Sequence, residues 1–486
     1  MLYYTLLIVA FIYMTHRLHT KTKIVGTLGP NSADVKMIEK MLQAGLTVAR
    51  INMSHGDHPT HAGVIKNARA AAAKSKRPLA ILQDLSGPKI RIGDFDTDDV
   101  TLINGHQLIL TIEKCIGTVE RVSINYPKLP KEVGVGMFIY LNDGRQKLQV
   151  TKVTDTDIHT TIISGGTIKG RRGVNIPDAD LSISSLTPKD KKDVLFGLEQ
   201  DVDFMTLSFV RNAKDIHDLR KLIPKDRKIA IVAKIETKFA IENLDEIIDA
   251  ADVIMVARGD LAIEVPLEKV PLLQKKIIRT ANRKGKPVIT ATQMLDSMRI
   301  ATVPTRAEVT DIANAIIDGT DALMLSDETT IGNHPDLAIS IMAKIALEVE
   351  NDSYFIEHNG DWNFSPTDIY GGVSRSIALT IEPSKARAIV ALSESGNTGR
   401  MVARYRPHVP VIVLTPNKRT FSQMLVVFGC EPVLIKNVKT LTEAQALARK
   451  TLLEYKVAEK GDNFILAAGI PFGSTGATNM MMVEKL

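Results

Sequence analysis

The amino-acid sequence predicts an α/β protein: a closed (β/α)₈ barrel interrupted by an inserted all-β domain and followed by an open α/β domain. Three observations carry this prediction. Short β-branched apolar runs alternate with longer amphipathic stretches from Lys23 onward, the pattern of βα units around a parallel sheet. Between the third and fourth runs the rhythm changes to turn-rich segments with period-two alternation. After Glu350 a fresh series of strand and helix signals begins.

In chain order, the candidate barrel strands are KIVGTL from Lys23, TVARI from Thr47 and LAILQ from Leu79. They continue with DFMTLS from Asp203, KIAIVA from Lys228, DVIMVA from Asp252, PVITA from Pro287 and DALML from Asp321. Helix punctuation falls between them. Asn31 and Ser32 read as caps, Thr187-Pro188-Lys189-Asp190 as a threonine cap with proline in the first turn, and Gly285 as a stop. The insert contributes HQLILTIE, MFIYLNDG, QKLQVTKV and HTTIISGG, and the last domain ARAIVALS, VPVIVLT, EPVLIK and NFILAAG. The expected division is 14–87 and 182–350 for the barrel, 88–181 for the insert and 351–486 for the C-terminal domain.

Composition sets limits. At 486 residues with 44% hydrophobic content, the chain fills two or three cores, and the low aromatic fraction of 5% suits helices on parallel strands better than a sandwich. The net charge of +6 comes from 61 basic and 55 acidic residues that are interspersed, so no nucleic-acid partner is expected and the surplus suits an anionic substrate. Cys115 and Cys430 stand alone, which indicates neither a disulfide framework nor a zinc site and fits a reducing cytosol. The apolar start MLYYTLLIVAFIYM is shorter than a membrane span and lacks signal-peptide flanks. Residues 1–13 are therefore placed outside the fold, with translation starting at Met14 as the preferred reading. A floppy or partner-packed extension comes second and a membrane anchor third.

In a (β/α)₈ barrel, chemistry gathers where strands end, so polar residues following each run are informative. The second run ends in Arg50, Asn52, Ser54 and His55, the third in Asp84, the fourth in Ser208 and the fifth in Lys234 and Glu236. The sixth leads into Arg258-Gly259-Asp260, the seventh into Thr292-Gln293 and the eighth into Ser326, Asp327 and Glu328. Any one of these has an ordinary reading as a helix cap or surface charge; seven strands ending alike do not. Glu236 and Asp260 on adjacent strands can hold one Mg²⁺, and Lys234 with Arg50 can neutralise a transferring phosphoryl group. Gly259 permits close approach of a ligand, and Thr292 supplies a hydroxyl. No Walker loop or protein-kinase signature is present, so a nucleotide would be held otherwise.

From about Thr22 onward, the chain resembles the pyruvate kinase family. The runs are TKIVGTLGP, VARINMSHG, GPKIR, DVDFMTLSFVR, IVAKIET, DVIMVARGDLAIEVP, ITATQMLDSM, PTRAEVTDIANAIIDGTDALMLSDET and GSTGATN. The resemblance implies that the insert is a lid and that the C-terminal domain binds effectors. It also implies a cytosolic homotetramer that converts phosphoenolpyruvate and ADP to pyruvate and ATP through a metal-bound enolpyruvate. Residue by residue, it implies Arg50, Lys234 and Thr292 as catalytic groups, Glu236 and Asp260 as Mg²⁺ ligands with Mn²⁺ as an alternative, and Ala257, Arg258 and Gly259 around the substrate carboxylate. Asn52, His55, Arg91 and Arg172 fall on the nucleotide side, and Asn52, Ser54 and Asp84 at a monovalent-cation corner.

Three departures from the family pattern stand out. Leu85 and Lys89 replace the threonine and glutamate of K⁺-requiring members, so Lys89 is expected to supply the charge and K⁺ to be dispensable; a solvent-pointing Lys89 is the alternative. Arg172 replaces a lid lysine and changes the geometry of that contact. Asp327 replaces a small residue, without an account. In the last domain Ser393, Ser395, Gly396, Asn397 and Thr398 form a strand-to-helix loop that resembles a sugar-phosphate effector site, although an ordinary capped turn has the same sequence signature. Two rival functions remain at this point: a barrel lyase or aldolase working on an enolate, and a catalytically silent metabolite sensor.

Overall fold

The computed structural model describes residues 20–353, 355, 366, 368–471 and 478–486. The reading of residues 1–13, and most of the GSTGATN run, lie outside the described residues.

Eight parallel strands close into a barrel: Lys23–Thr27, Val48–Asn52, Ala80–Asp84, Phe204–Leu207, Ala230–Ile235, Val253–Ala257, Val288–Ala291 and Ala322–Leu325. The first pairs with both the second and the last, which completes the ring. All eight sequence-predicted runs are barrel strands. Alternation along each strand separates two cores. Ile24, Ala49, Ile231 and Leu323 pack outward against helix residues such as Ile38 and Ile316. Val25, Leu82, Val232 and Met255 fill the interior, in a cluster that continues into Val411, Leu425 and Cys430 of the C-terminal domain.

That domain therefore stops the barrel at its N-terminal end. The stopper is polar as well as apolar. The Arg406 guanidinium lies 2.9 Å from each carboxylate oxygen of Asp321, both side chains buried, and the Phe428 backbone N–H donates to the same carboxylate. Lys23, fully buried at the start of the first strand, pairs with Glu431 at 2.8 Å.

Residues inserted between the third and fourth strands form a six-stranded sheet and a two-stranded ribbon around a separate apolar core that includes Leu108, Leu110, Ile139, Leu148 and Ile162. The four runs expected there are Gln107–Thr111, Phe138–Leu141, Gln146–Val153 and Asp157–Ser164. Four further strands, Asp99–Leu102, Arg121–Ser123, Gly166–Lys169 and Val174–Asn175, went unread in the sequence. The C-terminal sheet has the four expected parallel strands plus an antiparallel edge, Met480–Lys485, which the sequence reading missed.

Helix ends follow the caps with one correction. Thr187 and Asp190 form a reciprocal capping box at Pro188–Glu199. Gly285 adopts φ 67° just beyond Val270–Arg283. The helix Val35–Ala44, however, is capped by Asp34, which accepts from the N–H groups of Lys36 and Met37. Asn31 instead donates to the carbonyls of Ile331 and Gly332, and Ser32 accepts from the Gly29 N–H. Those hydroxyl and amide groups satisfy a loop rather than a helix. Among the described residues no helix is long and apolar enough to cross a membrane.

Candidate active site

Lys234 lies on the fifth strand and Glu236 is the first residue past its end, two positions on, so period-two geometry turns both toward the barrel axis. The Lys234 Nζ lies 2.9 Å from Glu236 Oε2 and donates to Ser208 Oγ at 3.0 Å. Glu236 is wholly buried; its Oε1 accepts the Phe209 backbone N–H at 2.7 Å, and its Oε2 meets the Lys234 ammonium as an ion pair. Burial raises the Glu236 carboxyl, with Lys234 opposing and Asp260 adding to the rise. Burial also works against the Lys234 ammonium, but Glu236, Asp84 and Asp260 outweigh it and hold that amine above the usual lysine range.

Beside this pair, the buried Arg50 guanidinium grips Asp84, with Nε and Nη2 at 2.8 and 2.7 Å from Oδ2, and donates to Thr27 Oγ1 at 2.9 Å. The other carboxylate oxygen of Asp84 is buried without a hydrogen-bond partner. Asp84 Oδ1 is thus a buried acidic oxygen without a hydrogen-bond partner, the condition a cation would relieve, while Glu236 Oε2 is paired with the Lys234 ammonium. Among the described residues no group of three or more His, Cys, Asp or Glu is arranged around a metal position. A divalent ion here would rely on two carboxylates plus ligand oxygens and water, a donor set that suits Mg²⁺.

The seventh strand ends in strain. Thr292 and Gln293 adopt φ 73° and 54°, a region a β-branched residue strongly avoids. The Thr292 hydroxyl accepts the Gly259 N–H at 2.8 Å and donates to Ala291 O at 2.6 Å. Arg258 holds the turn from below, donating to Thr292 O at 2.7 Å and Ala291 O at 3.2 Å while its other nitrogen pairs with Asp311 at 2.7 Å. A Cβ on Gly259 would meet nothing nearer than 3.6 Å, so the protein's own packing does not demand glycine; the room faces the cleft. That cleft, about 1410 Å³, runs between the inserted domain and the barrel mouth. Tyr140, Arg145 and Lys147 line one side, and Gly259, Asp260 and Thr292 the other. Asp327 is exposed on the same wall.

Two family models match: that of the pyruvate kinase barrel domain over residues 19–339 and that of the pyruvate kinase alpha/beta domain over residues 372–484. Over 474 residues the chain is 42% identical to a pyruvate kinase of Geobacillus stearothermophilus, covering 96% of this chain and 80% of that protein. It is 40% identical over 468 residues to a pyruvate kinase of Staphylococcus aureus strain MRSA252, covering 96% and 80%. Pyruvate kinase 2 of a Synechocystis strain is 42% identical over 477 residues, covering 97% and 80%. This chain belongs to the pyruvate kinase family.

The remaining sites anticipated in this pyruvate kinase family member are distributed as follows. Lys89 is exposed, and its ammonium makes no hydrogen bond or ion pair among the described residues. Partial burial, then the nearby Lys234 and Arg91, lower its pKa. Leu85 is buried, with its carbonyl accepting from Ser208 Oγ at 2.8 Å. Asn52 Oδ1 accepts the Ser54 N–H, and the His55 carbonyl contacts His61 Nε2 at 2.7 Å. Arg91 Nη1 donates to Arg171 O at 2.8 Å, whereas Arg172 is exposed. In the C-terminal loop Gly396 has φ 78°, and a Cβ there would lie 2.5 Å from the Met424 methyl. Ser393 Oγ accepts the Thr398 N–H at 3.3 Å and so serves the loop itself, whereas the buried Thr398 hydroxyl accepts from Thr478 at 2.9 Å and ties the loop to a distant segment.

Three contributors went unread in the sequence. Thr27 ends the first strand and obeys the same end-of-strand rule that exposed the others. Asp311 sits within the helix Arg306–Ile317 and the Phe209 N–H is backbone, so neither carries a local signal.

Proposed function

We infer that the chain transfers the phosphoryl group of phosphoenolpyruvate to ADP, releasing pyruvate and ATP. Membership of the pyruvate kinase family supports this reading, and the observation that carries it in the site is the buried Lys234–Glu236 ion pair, with the buried Asp84 Oδ1 left without a hydrogen-bond partner. A divalent ion, Mg²⁺ or alternatively Mn²⁺, would be held by Glu236 and Asp260 and would neutralise phosphate charge. Lys234 neutralises charge on the phosphoryl group as it leaves the substrate oxygen and on the enolate that remains. Arg50, fixed by Asp84 and Thr27, presents a second cation. The Thr292 hydroxyl lies beside the enolate face and passes on the proton that converts the enolate to pyruvate. Ala257, Arg258 and Gly259 shape the carboxylate end. Asn52, His55, Arg91 and Arg172 face the nucleotide, and the 88–181 lid excludes water as a competing acceptor.

Further parts of the proposal are a barrel formed by 14–87 and 182–350, a regulatory domain from 351, a homotetramer, and a cytoplasmic location. A phosphorylated effector would be taken at Ser393, Ser395, Gly396, Asn397 and Thr398. The corner of Asn52, Ser54, Asp84, Leu85 and Lys89 works without K⁺. The deciding experiment is pyruvate formation from phosphoenolpyruvate, ADP and Mg²⁺. Rapid turnover is expected; retained ligand binding with no turnover would identify a silent sensor instead.

A further inference from the structure

The 174–178 segment of the inserted domain makes two side-chain contacts to the barrel, and each falls on the short segment that carries one of the two acidic residues proposed to hold the metal. Asn175, in the strand Val174–Asn175, donates from Nδ2 to Glu264 Oε1 at 3.1 Å. Glu264 ends the seven-residue helix Arg258–Glu264, one turn beyond Asp260 on the same face. Three residues further along the insert, Asp178 Oδ1 pairs with Lys238 Nζ at 3.0 Å. Lys238 opens the helix Lys238–Glu242 and stands two residues after Glu236.

We propose that Asn175 and Asp178 are positioning residues through which lid closure sets the geometry of the Glu236 and Asp260 carboxylates. This rests on the metal reading above. The two contacts differ in weight. Asn175 and Glu264 are partly buried and the bond is to a charged acceptor, whereas Asp178 and Lys238 are both nearly half exposed, where ion pairs contribute little. The Asn175 contact therefore dominates. Among the described residues, the Asn175 bond is the one side-chain hydrogen bond or ion pair that joins the helix Arg258–Glu264 to the insert, so with the lid open Asp260 is free to shift with that helix.

The test uses the full chain and Mn²⁺ alone, with bound metal counted by electron paramagnetic resonance. Asn175→Ala is expected to raise the Mn²⁺ dissociation constant about tenfold, the low end of the cost of losing an outer-shell partner, and Asp178→Ala about twofold. Asn175→Asp, equal in size, sets carboxylate against carboxylate and is expected to weaken binding further, which separates the contact from a packing defect. In the metal-free chain, amide exchange over 258–264 is expected to rise in Asn175→Ala. Wild-type Mn²⁺ affinity in both Asn175 variants, in a protein where Glu236→Gln weakens binding, overturns the latch alone. Wild-type affinity in Glu236→Gln overturns the metal reading and the latch with it.

Discussion

Arg258 is held to be a clamp on a strained turn, and its removal has a calculable consequence. Its guanidinium makes hydrogen bonds to the carbonyls of Thr292 and Ala291 and an ion pair to Asp311. Two hydrogen bonds from a charged donor contribute about 1.5–3 kcal/mol each. Holding Thr292 at φ 73° costs about 1–3 kcal/mol. The clamp therefore outweighs the strain, and in Arg258→Met the strain is unopposed. The turn relaxes, the Thr292 hydroxyl leaves the Gly259 N–H, and a group that needs sub-ångström placement is lost, so kcat is expected to fall about 10²-fold. Stability should suffer less, because Asp311 is 38% exposed and regains water. Arg258→Lys restores the charge beside Asp311 without the planar fork, and partial recovery of kcat is expected. The assay is pyruvate formation at saturating substrates, alongside thermal unfolding. Full kcat in Arg258→Met, or a loss matched by collapse of the melting temperature, would refute the clamp.

Lys234→Met should lower phosphoryl transfer by about 10³-fold or more with the fold intact by circular dichroism; ordinary turnover in that variant refutes its role. Pyruvate formation should be equally fast in K⁺ and K⁺-free buffer, and a strict K⁺ requirement would discard Lys89 as the substitute cation. Because partial burial, Lys234 and Arg91 all disfavour the Lys89 ammonium, its neutral amine should appear at lower pH than that of a free lysine. Acylation that begins no earlier than at fully exposed lysines would contradict this sign. At the barrel floor, Arg406→Met strands a buried Asp321 carboxylate and should cost about 3 kcal/mol, the low end for breaking a buried pair, since two backbone N–H groups still reach Asp321. An unchanged urea midpoint would show the pair to be idle.

Much of the site was legible because its residues obey a rule local to the strand. Lys234 and Glu236 share a face by period two, and Arg50 and Asp84 lie on neighbouring strands whose register puts Asn52 opposite Asp84. Polar residues at strand ends then converge when the sheet closes. Other contacts obey no local rule. The Arg258–Asp311 pair joins residues 53 positions apart, and the Asn175–Glu264 bond crosses 89. The caps show the same divide: Thr187 announces its helix through Asp190 three residues on, whereas Asn31 looked like a cap and was claimed by carbonyls 300 residues away.

The sequence by itself determined the eight barrel strands, the interruption after the third, the second α/β series and the end-of-strand acids and bases. Each is written in hydrophobic periodicity or in residues a few positions apart, so it can be read locally along the chain. Only the tertiary structure decided that the C-terminal domain stops the barrel floor, that Thr292 is held in a left-handed turn, that Lys89 is exposed and that the 174–178 segment of the insert contacts both acid-bearing segments. Those features arise where distant groups compete for the same hydrogen-bond partners and the same buried space, and that competition is settled by closure of the whole fold.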